Sequence, residues 1–451
     1  MKFSRSKAIG TPAVAAIIIV VAIVAAGGAY VASSGSKTTV TSTVTSTSVS
    51  TATGQPSLTT ITATISGTVT TETQTLTSTA TSISTSVSTS TATSTATSTS
   101  VSTSTAVQTT VATPVLPASL PTPSSPITEA GSSLLFPLFQ LWAANFTQLY
   151  SNVKLNTAAG GSGAGQTGAE QNTTNIGASD VFLTAAQVNT YPDVLNIPVA
   201  ISAQAINYNL PGIPTTTHLN FTGNVLAGIY NGSITTWNNA AIAKLNPGVT
   251  LPSNTIVPLH RSDSSGDTGL FTAYLSATSP DWAKNTGQGT TVSWPSVPSA
   301  EAENGNSGML SACNTTQYCI AYIGVSYLTQ ATADGLGNAD LQNLAGNFVQ
   351  LTTPNISAAV QAQYTSTPAN ERYSLVYGPG ATSYPIVNYE YVMVQQHQAS
   401  TTLQQDIQAI LWYATLPNDG NSAYFLNQVG FVALPPSIDQ LTWAQIDSIT
   451  G

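Results

Sequence analysis

Three stretches of the sequence place serine or glycine directly ahead of a helix-forming run: AGSSLLF at 130–136, GGSGAG at 160–165 and HRSDSSGDTGLF at 260–271. A helix start leaves its first main-chain N–H groups without internal acceptors and carries the positive end of the macrodipole. Glycine lets the main chain approach a ligand closely. Three such turns, brought together, could hold a small tetrahedral oxyanion. Arg261 is the strong base adjoining one of them, and its planar fork can hold two oxyanion oxygens at once; Asp263, two residues on, is placed to orient it. Asp180, in NIGASD, matters for a different reason. An ionised acid facing an anion repels it unless the anion brings a proton to donate, so such a carboxylate would favour phosphate over sulfate.

Each residue also has a plain structural reading. Ser133 can be a helix cap, Arg261 with Asp263 an ordinary salt bridge, and Asp180 a turn residue. GGSGAG lacks the lysine of a nucleotide-binding loop. His218, His260 and His397 lie far apart without ligand spacing, and there is no G-x-S-x-G turn, so neither a metal site nor a catalytic triad is expected. No cofactor is implied.

The elements that must position these turns follow from pattern. LLFPLFQLWAANFTQLY (134–150) is apolar at helical spacing, with Ser132 or Ser133 available as cap. Strands are expected at VKLNTAA, VLNIPVAIS, AINYNL, IVPLH, CIAYIG, YPIVNYEYVMV and VGFVALP, and helices at NVLAGIYNG, AAIAKLN, TGLFTAYLSA and TLQQDIQAILWYA. Strands alternating with helices predict an α/β architecture.

Composition narrows the class. Only 6% of the 451 residues are charged, against roughly a quarter in an average soluble domain. With nine Lys and Arg in all, a surface held to nucleic acid by many phosphate contacts is excluded. From residue 126 onward five bases face 17 acids, a formal charge of −12, so any anion site has to be local. Cys313 and Cys319, the two cysteines, rule out a disulfide scaffold and a four-cysteine metal site; in an exported chain they are free to close a small loop.

The first 125 residues read differently. Lys2, Arg5 and Lys7 precede an uncharged apolar run from Pro12 to Ala32, which suits a membrane anchor with its N-terminus inside, or alternatively a secretory signal cut near Ala32 to Gly35. Either exports the remainder of the chain, so 1–35 is assigned to an anchor or signal. Residues 36–125 are Ser/Thr-rich repeats with almost no aromatic or charged residues, a composition expected to stay disordered as a glycosylated stalk. Beyond the stalk lie six N-x-S/T sequons, at Asn145, Asn172, Asn220, Asn231, Asn314 and Asn355, as on a cell-surface glycoprotein. Low charge and a stalk point to an archaeal cell surface in acid, where Asp180 would have to be kept ionised by hydrogen bonds to its charged form.

The order of the motifs carries a resemblance. ITEAGSSLLFPLFQLWAANF, GGSGAGQTGA, NIGASD, the long block from Ile229 to Ser276, GNSGMLSA with CIAYIGVSYL, and GFVALPPSI resemble the phosphate-binding proteins that feed ABC-type phosphate importers. The resemblance implies a type II periplasmic-binding-protein fold: two α/β lobes, 126–203 with 385–451 and 204–384, closing by a hinge on a buried ligand. It implies that Ser133 donates its hydroxyl and amide to phosphate and that Leu134 adds an amide. In the second loop the usual hydroxyl donor falls on Gly161, which leaves its amide unless Ser162 substitutes. It implies Asp180 as acceptor of the phosphate proton, and Arg261, Ser265 and Gly266 as the second lobe's anion loop with Asp263 holding the arginine. Asp267 stands where many members have threonine, so it is expected to cap the following helix while its amide binds. The implied role is capture without reaction: inorganic phosphate is delivered to an ABC permease at the outer face of the cytoplasmic membrane by a monomeric, non-enzymatic binding domain. A binding protein for another oxyanion and a surface phosphatase are the alternatives.

Overall fold

The structure, a computed structural model, describes residues 111–451 and, between 40 and 109, the backbone of four strands. Val40–Ser48 pairs antiparallel with Ser57–Ile65, and Thr75–Val87 with Thr97–Thr109, in a unit of its own that ends at Thr109. Alternating Thr with Val, Ile or Ala suits such pairing. The expected anchor at 1–35 lies outside the described residues. Among the described residues no helix is long and apolar enough to cross a membrane.

The second unit begins at Thr110. Its elements are β1 (Ile127–Gly131), α1 (Phe136–Leu149), β2 (Leu155–Ala159), α2 (Ser162–Glu170), β3 (Ile176–Ser179), β4 (Val194–Tyr208), β5 (Val257–Arg261), α3 (Gly266–Thr278), β6 (Glu301–Glu303), α4 (Gly305–Thr315), β7 (Cys319–Gly324), β8 (Val387–Gln395), α5 (Thr401–Thr415) and α6 (Pro436–Asp447), with shorter pieces between. The main sheet runs β6-β5-β7-β4-β8-β3-β1-β2, and a short strand at Gly337–Asn338 also pairs with β4. β1, β2 and β3 are mutually parallel, as are β5, β6 and β7, while β8 and β7 run antiparallel to β4.

β4 joins the two groups. Its residues 194–203 pair with β8 and its residues 204–208 with β7. The pattern predicts two strands here, VLNIPVAIS and AINYNL, but the chain forms one of 15 residues. Covered by other elements along nearly its whole length, it reads as a continuous apolar run rather than an alternating one. Pro198 has no N–H to donate, and the pairing with β8 slips by one residue between Glu390 and Tyr391, a bulge beside the proline.

Two further differences have local causes. The expected strand GFVALP forms only a single bridge, Ile201 with Val432, before Pro436 opens α6. The glycine-dense GGSGAG, read as a turn running into a helix, is already helical from Ser162, where α2 begins. Gly165 explains why it can sit there: a Cβ on it would lie 2.2 Å from the Ala178 carbonyl oxygen, so the helix packs straight onto β3 only without side chains.

α1 carries the expected stripe, burying Leu138, Phe139, Trp142 and Phe146. Trp142 Nε1 donates to the Gly420 carbonyl at 2.9 Å and Phe146 meets Tyr413 of α5 edge-on. Each of these aromatic side chains is worth about 3–5 kcal/mol against alanine in a packed core. Residues ahead of β1 join in: Leu120 is buried and Tyr150 Oη donates to the Pro117 carbonyl at 2.6 Å. Cys313 and Cys319 form a disulfide between the end of α4 and the start of β7, with Cα atoms 5.5 Å apart.

Candidate anion-binding site

Ser132 and Ser133 take different tasks at the end of β1. Ser132 Oγ accepts the N–H groups of Leu134 at 3.1 Å and Leu135 at 2.9 Å and donates to Asp180 Oδ1. The capping role therefore belongs to Ser132. Ser133 Oγ accepts from the main-chain N–H and the side-chain amide of Asn306, both at 3.0 Å, which leaves its own hydroxyl hydrogen to donate. Leu134's amide, implied as a ligand contact, is committed to Ser132.

The second turn follows β2. Gly161 has φ +83°, and its N–H donates to the Gly131 carbonyl at 2.8 Å. A Cβ at Gly161 would lie 2.3 Å from Asp263 Oδ2 and 2.8 Å from the Ser264 carbonyl oxygen, so glycine is required both by conformation and by the neighbouring loop. Ser162 Oγ donates to Asp180 Oδ2 at 3.2 Å and accepts the Asp180 N–H at 3.2 Å. Gly163 N–H donates to the Ser264 carbonyl at 2.9 Å. The turn after β2 thus rests against the turn after β5.

That third turn carries the charges. Arg261 is buried at the end of β5. Its Nε donates to Asp263 Oδ1 at 2.6 Å, its Nη2 to Asp263 Oδ2, and its Nη1 to Asp267 Oδ2 at 2.8 Å. Asp263 Oδ1 also accepts the Gly305 N–H at 3.2 Å. The reading of Asp267 as a helix cap does not hold. Ser265 caps α3, its Oγ accepting the Thr268 N–H at 3.4 Å, because Asp267 is already inside the helix. Its carboxylate instead meets Arg261, Asn306 Nδ2 at 2.7 Å and Gln204 Nε2 at 3.1 Å. The N–H groups of Ser133, Ser162, Gly266 and Asp267 find no acceptor among the described residues.

The electrostatics follow from burial. Asp263 is held below the usual carboxylate range: burial opposes this, but the hydrogen bonds and charge of Arg261 outweigh it. Arg261 itself is raised, since Asp263 and Asp267 more than offset its burial. Asp267 is pushed up by burial against the charge of Arg261. Asp180 differs from the expectation that hydrogen bonds keep its carboxyl low. Burial and then the charge of Asp267 push it up, and the Ser132 hydroxyl and Arg261 offset this only in part.

The sequence motifs leave out four residues of this neighbourhood. Asn306 lies in GNSGMLSA and ties Ser133 to Asp267, and its Oδ1 accepts the Gly324 N–H at 2.7 Å. A glycine–asparagine pair opening a helix beside the anion loops was a signal for it. Gln204, Asn388 and Glu390, all buried, lie on the central strands in runs whose signature is apolar; their only sequence signal is polarity inside such runs.

A family model described as "PBP superfamily domain" matches residues 32–407. The phosphate-binding protein PstS of Pasteurella multocida is 33% identical over 328 residues, which is 72% of this chain and 91% of that protein. The chain belongs to the PstS family of phosphate-binding proteins. Another member, from Methanocaldococcus jannaschii, is 35% identical over 58% of this chain and 71% of its own length. Among solved structures, a high-affinity periplasmic phosphate-binding protein (PfluDING) bound with phosphate superposes with a TM-score of 0.57 at 21% identity, covering 71% of this chain and 93% of that one. A phosphate-binding protein from Stenotrophomonas maltophilia gives 0.54 at 18%, covering 71% and 94%. The architecture is accordingly the α/β periplasmic-binding-protein fold, built on a mixed sheet.

Proposed function

We propose that this chain is the substrate-binding subunit of an ABC-type phosphate importer, capturing inorganic phosphate and handing it to a permease. The observation that carries this is a buried carboxyl, Asp180, set among hydroxyl groups and unpartnered main-chain N–H groups and close to Arg261. That is the donor set of an anion site with one acceptor in it, as a proton-bearing oxyanion requires. The relatives that cover most of the chain are named as phosphate-binding proteins.

In this reading Ser133, Ser162, Gly266 and Asp267 supply main-chain N–H groups, Ser133 adds its hydroxyl, and Arg261 is oriented by Asp263. The lobes are 126–203 with 385–451 and 204–384, and β4 is one of the two crossings. Nothing is cleaved, so the protein acts as a carrier and not as an enzyme. The N-terminal 35 residues hold it to the outer face of the membrane, the stalk runs from residue 36 and ends short of the expected 125, since Pro117 and Leu120 join the domain, and the sequons carry sugar on an archaeal surface. The domain works as a monomer.

Calorimetric titration with phosphate, arsenate and sulfate tests the reading. Phosphate is expected to bind and sulfate to be rejected, and Asp180→Asn is expected to weaken phosphate and admit sulfate. Equal affinity for the two anions in the unaltered protein would overturn it.

A further inference from the structure

A second carboxylic acid lies behind Asp180. Glu390, on β8, is fully buried beside the bulge that Pro198 introduces, a place where a strand can re-aim a side chain. Its Oε1 accepts from Ser202 Oγ and from Asn388 Nδ2, the latter at 2.9 Å, while its Oε2 is buried without a donor. The same Asn388 amide reaches the Asp180 carbonyl at 3.0 Å, so one side chain fixes the two acids beside each other. The carboxyl groups of Asp180 and Glu390 lie close enough to act on each other's charge.

A buried Oε2 without a donor is costly as part of a carboxylate, and two adjacent buried acids favour a proton on one of them. Both Asp180 oxygens already accept hydroxyl hydrogens, from Ser132 and Ser162, and Arg261 lies near. All three favour its anion. Among the described residues no salt bridge reaches Glu390, and the guanidinium of the site is taken up by Asp263 and Asp267. We propose that Glu390 is a positioning residue for the anion site, held as the neutral acid and donating its Oε2–H to the Asp180 carboxylate.

Glu390 thereby keeps Asp180 an acceptor, aimed at the proton of the bound anion, without adding a charge. Burial and the charge of Asp180 both favour the protonated form of Glu390. The ionisable groups that act on it are Asp180 after β3, Asp267 on α3 and Tyr391 on its own strand, while Arg261 on β5 acts on Asp180. When Glu390 ionises as pH rises, the donor is lost and a further negative charge faces the ligand, so affinity falls.

The proposal rests on the phosphate reading, and calorimetry of phosphate binding by the full chain between about pH 5 and pH 9 separates the two. The unaltered protein is expected to lose affinity at the alkaline end. Glu390→Gln keeps a donor that cannot ionise; it is expected to bind about threefold more weakly near neutrality and to lack the alkaline fall. Glu390→Leu, with no donor, is expected to bind more than about tenfold more weakly. An unchanged alkaline fall in Glu390→Gln, or equal binding by the Gln and Leu variants, overturns the proposal. Should the Glu390 variants fail to fold, Ser202→Ala decides: it removes a donor that favours the anion and must move the fall to higher pH, and an unmoved fall overturns the proposal. If the unaltered protein binds no phosphate at any pH, the functional reading fails instead. Infrared spectroscopy then tests Glu390 alone: a protonated-carboxyl band near neutrality that Glu390→Gln removes supports the proposal, and a band unchanged by it overturns the proposal.

Discussion

The turn after β2 and the turn after β5 share one local architecture, a parallel strand running through a tight Ser/Gly turn into a helix, and they touch each other. They differ in charge. Residues 160–163 carry none; residues 261–267 carry one guanidinium and two carboxylates. The neutral turn offers a main-chain amide and a hydroxyl and is small enough to be pressed against its counterpart. The charged turn must first balance itself, because an unpaired buried charge costs several kcal/mol. Arg261 is therefore engaged by Asp263 and Asp267 before any ligand arrives, and the turn as a whole is not cationic. Helix starts supply N–H groups in both turns, while the charges set how rigidly the second is held and how it answers to pH.

Breaking the charged turn gives the largest expected effect. Arg261→Met leaves two buried carboxylates without their cation and is expected to lower unfolding stability by about 3–5 kcal/mol near neutral pH, read from denaturant midpoints, with phosphate binding lost. A loss below about 1 kcal/mol would mean that the cluster is not buried as described.

Asp263→Asn tests the same balance from the other side, with an expected loss of about 2 kcal/mol near neutrality. Asp263 is depressed in the fold, so its contribution is complete above the unfolded carboxylate pKa and disappears as pH falls through the folded one. The gap between the unaltered protein and Asp263→Asn should therefore hold steady above about pH 5 and close below about pH 4. A gap that widens in acid would reverse the assignment.

The neutral turn is expected to respond in affinity more than in stability. Gly161→Ala places a methyl group against Asp263 and strains a φ of +83°. Phosphate affinity should fall about tenfold or more, while stability falls by about 1 kcal/mol. An equal loss in both would make the contact structural rather than a matter of closure. The smallest effect belongs to Ser162→Ala, which removes one of the hydroxyl groups on Asp180: about 1 kcal/mol of binding, measured by calorimetry.

Much of this was legible beforehand because it depends on local chemistry. The helix stripe of α1, the strand CIAYIG, the Ser/Gly turns and the pairing of Arg261 with Asp263 follow from residue type at short spacing. The differences came where the deciding contact, near or far in the chain, is not marked by residue type. Leu134 looks like a ligand contact until Ser132 is seen to claim its amide. Asp267 looks like a cap until Arg261, Asn306 and Gln204 surround it. Asn306 lies 173 residues from the serine it binds.

The sequence by itself determined the class of the domain, the Ser/Gly turns at helix starts, and the local origin of the charge beside them, because propensity, periodicity and helix-start chemistry act over a few residues. Tertiary structure decided which serine caps and which serves the site, made one strand of the two expected around Ala203, and set Glu390 against Asp180. Those outcomes depend on burial and on pairing between strands and loops far apart in the chain. A carboxyl's protonation and an amide's partner are properties of what packs against them, and no spacing along the chain records that.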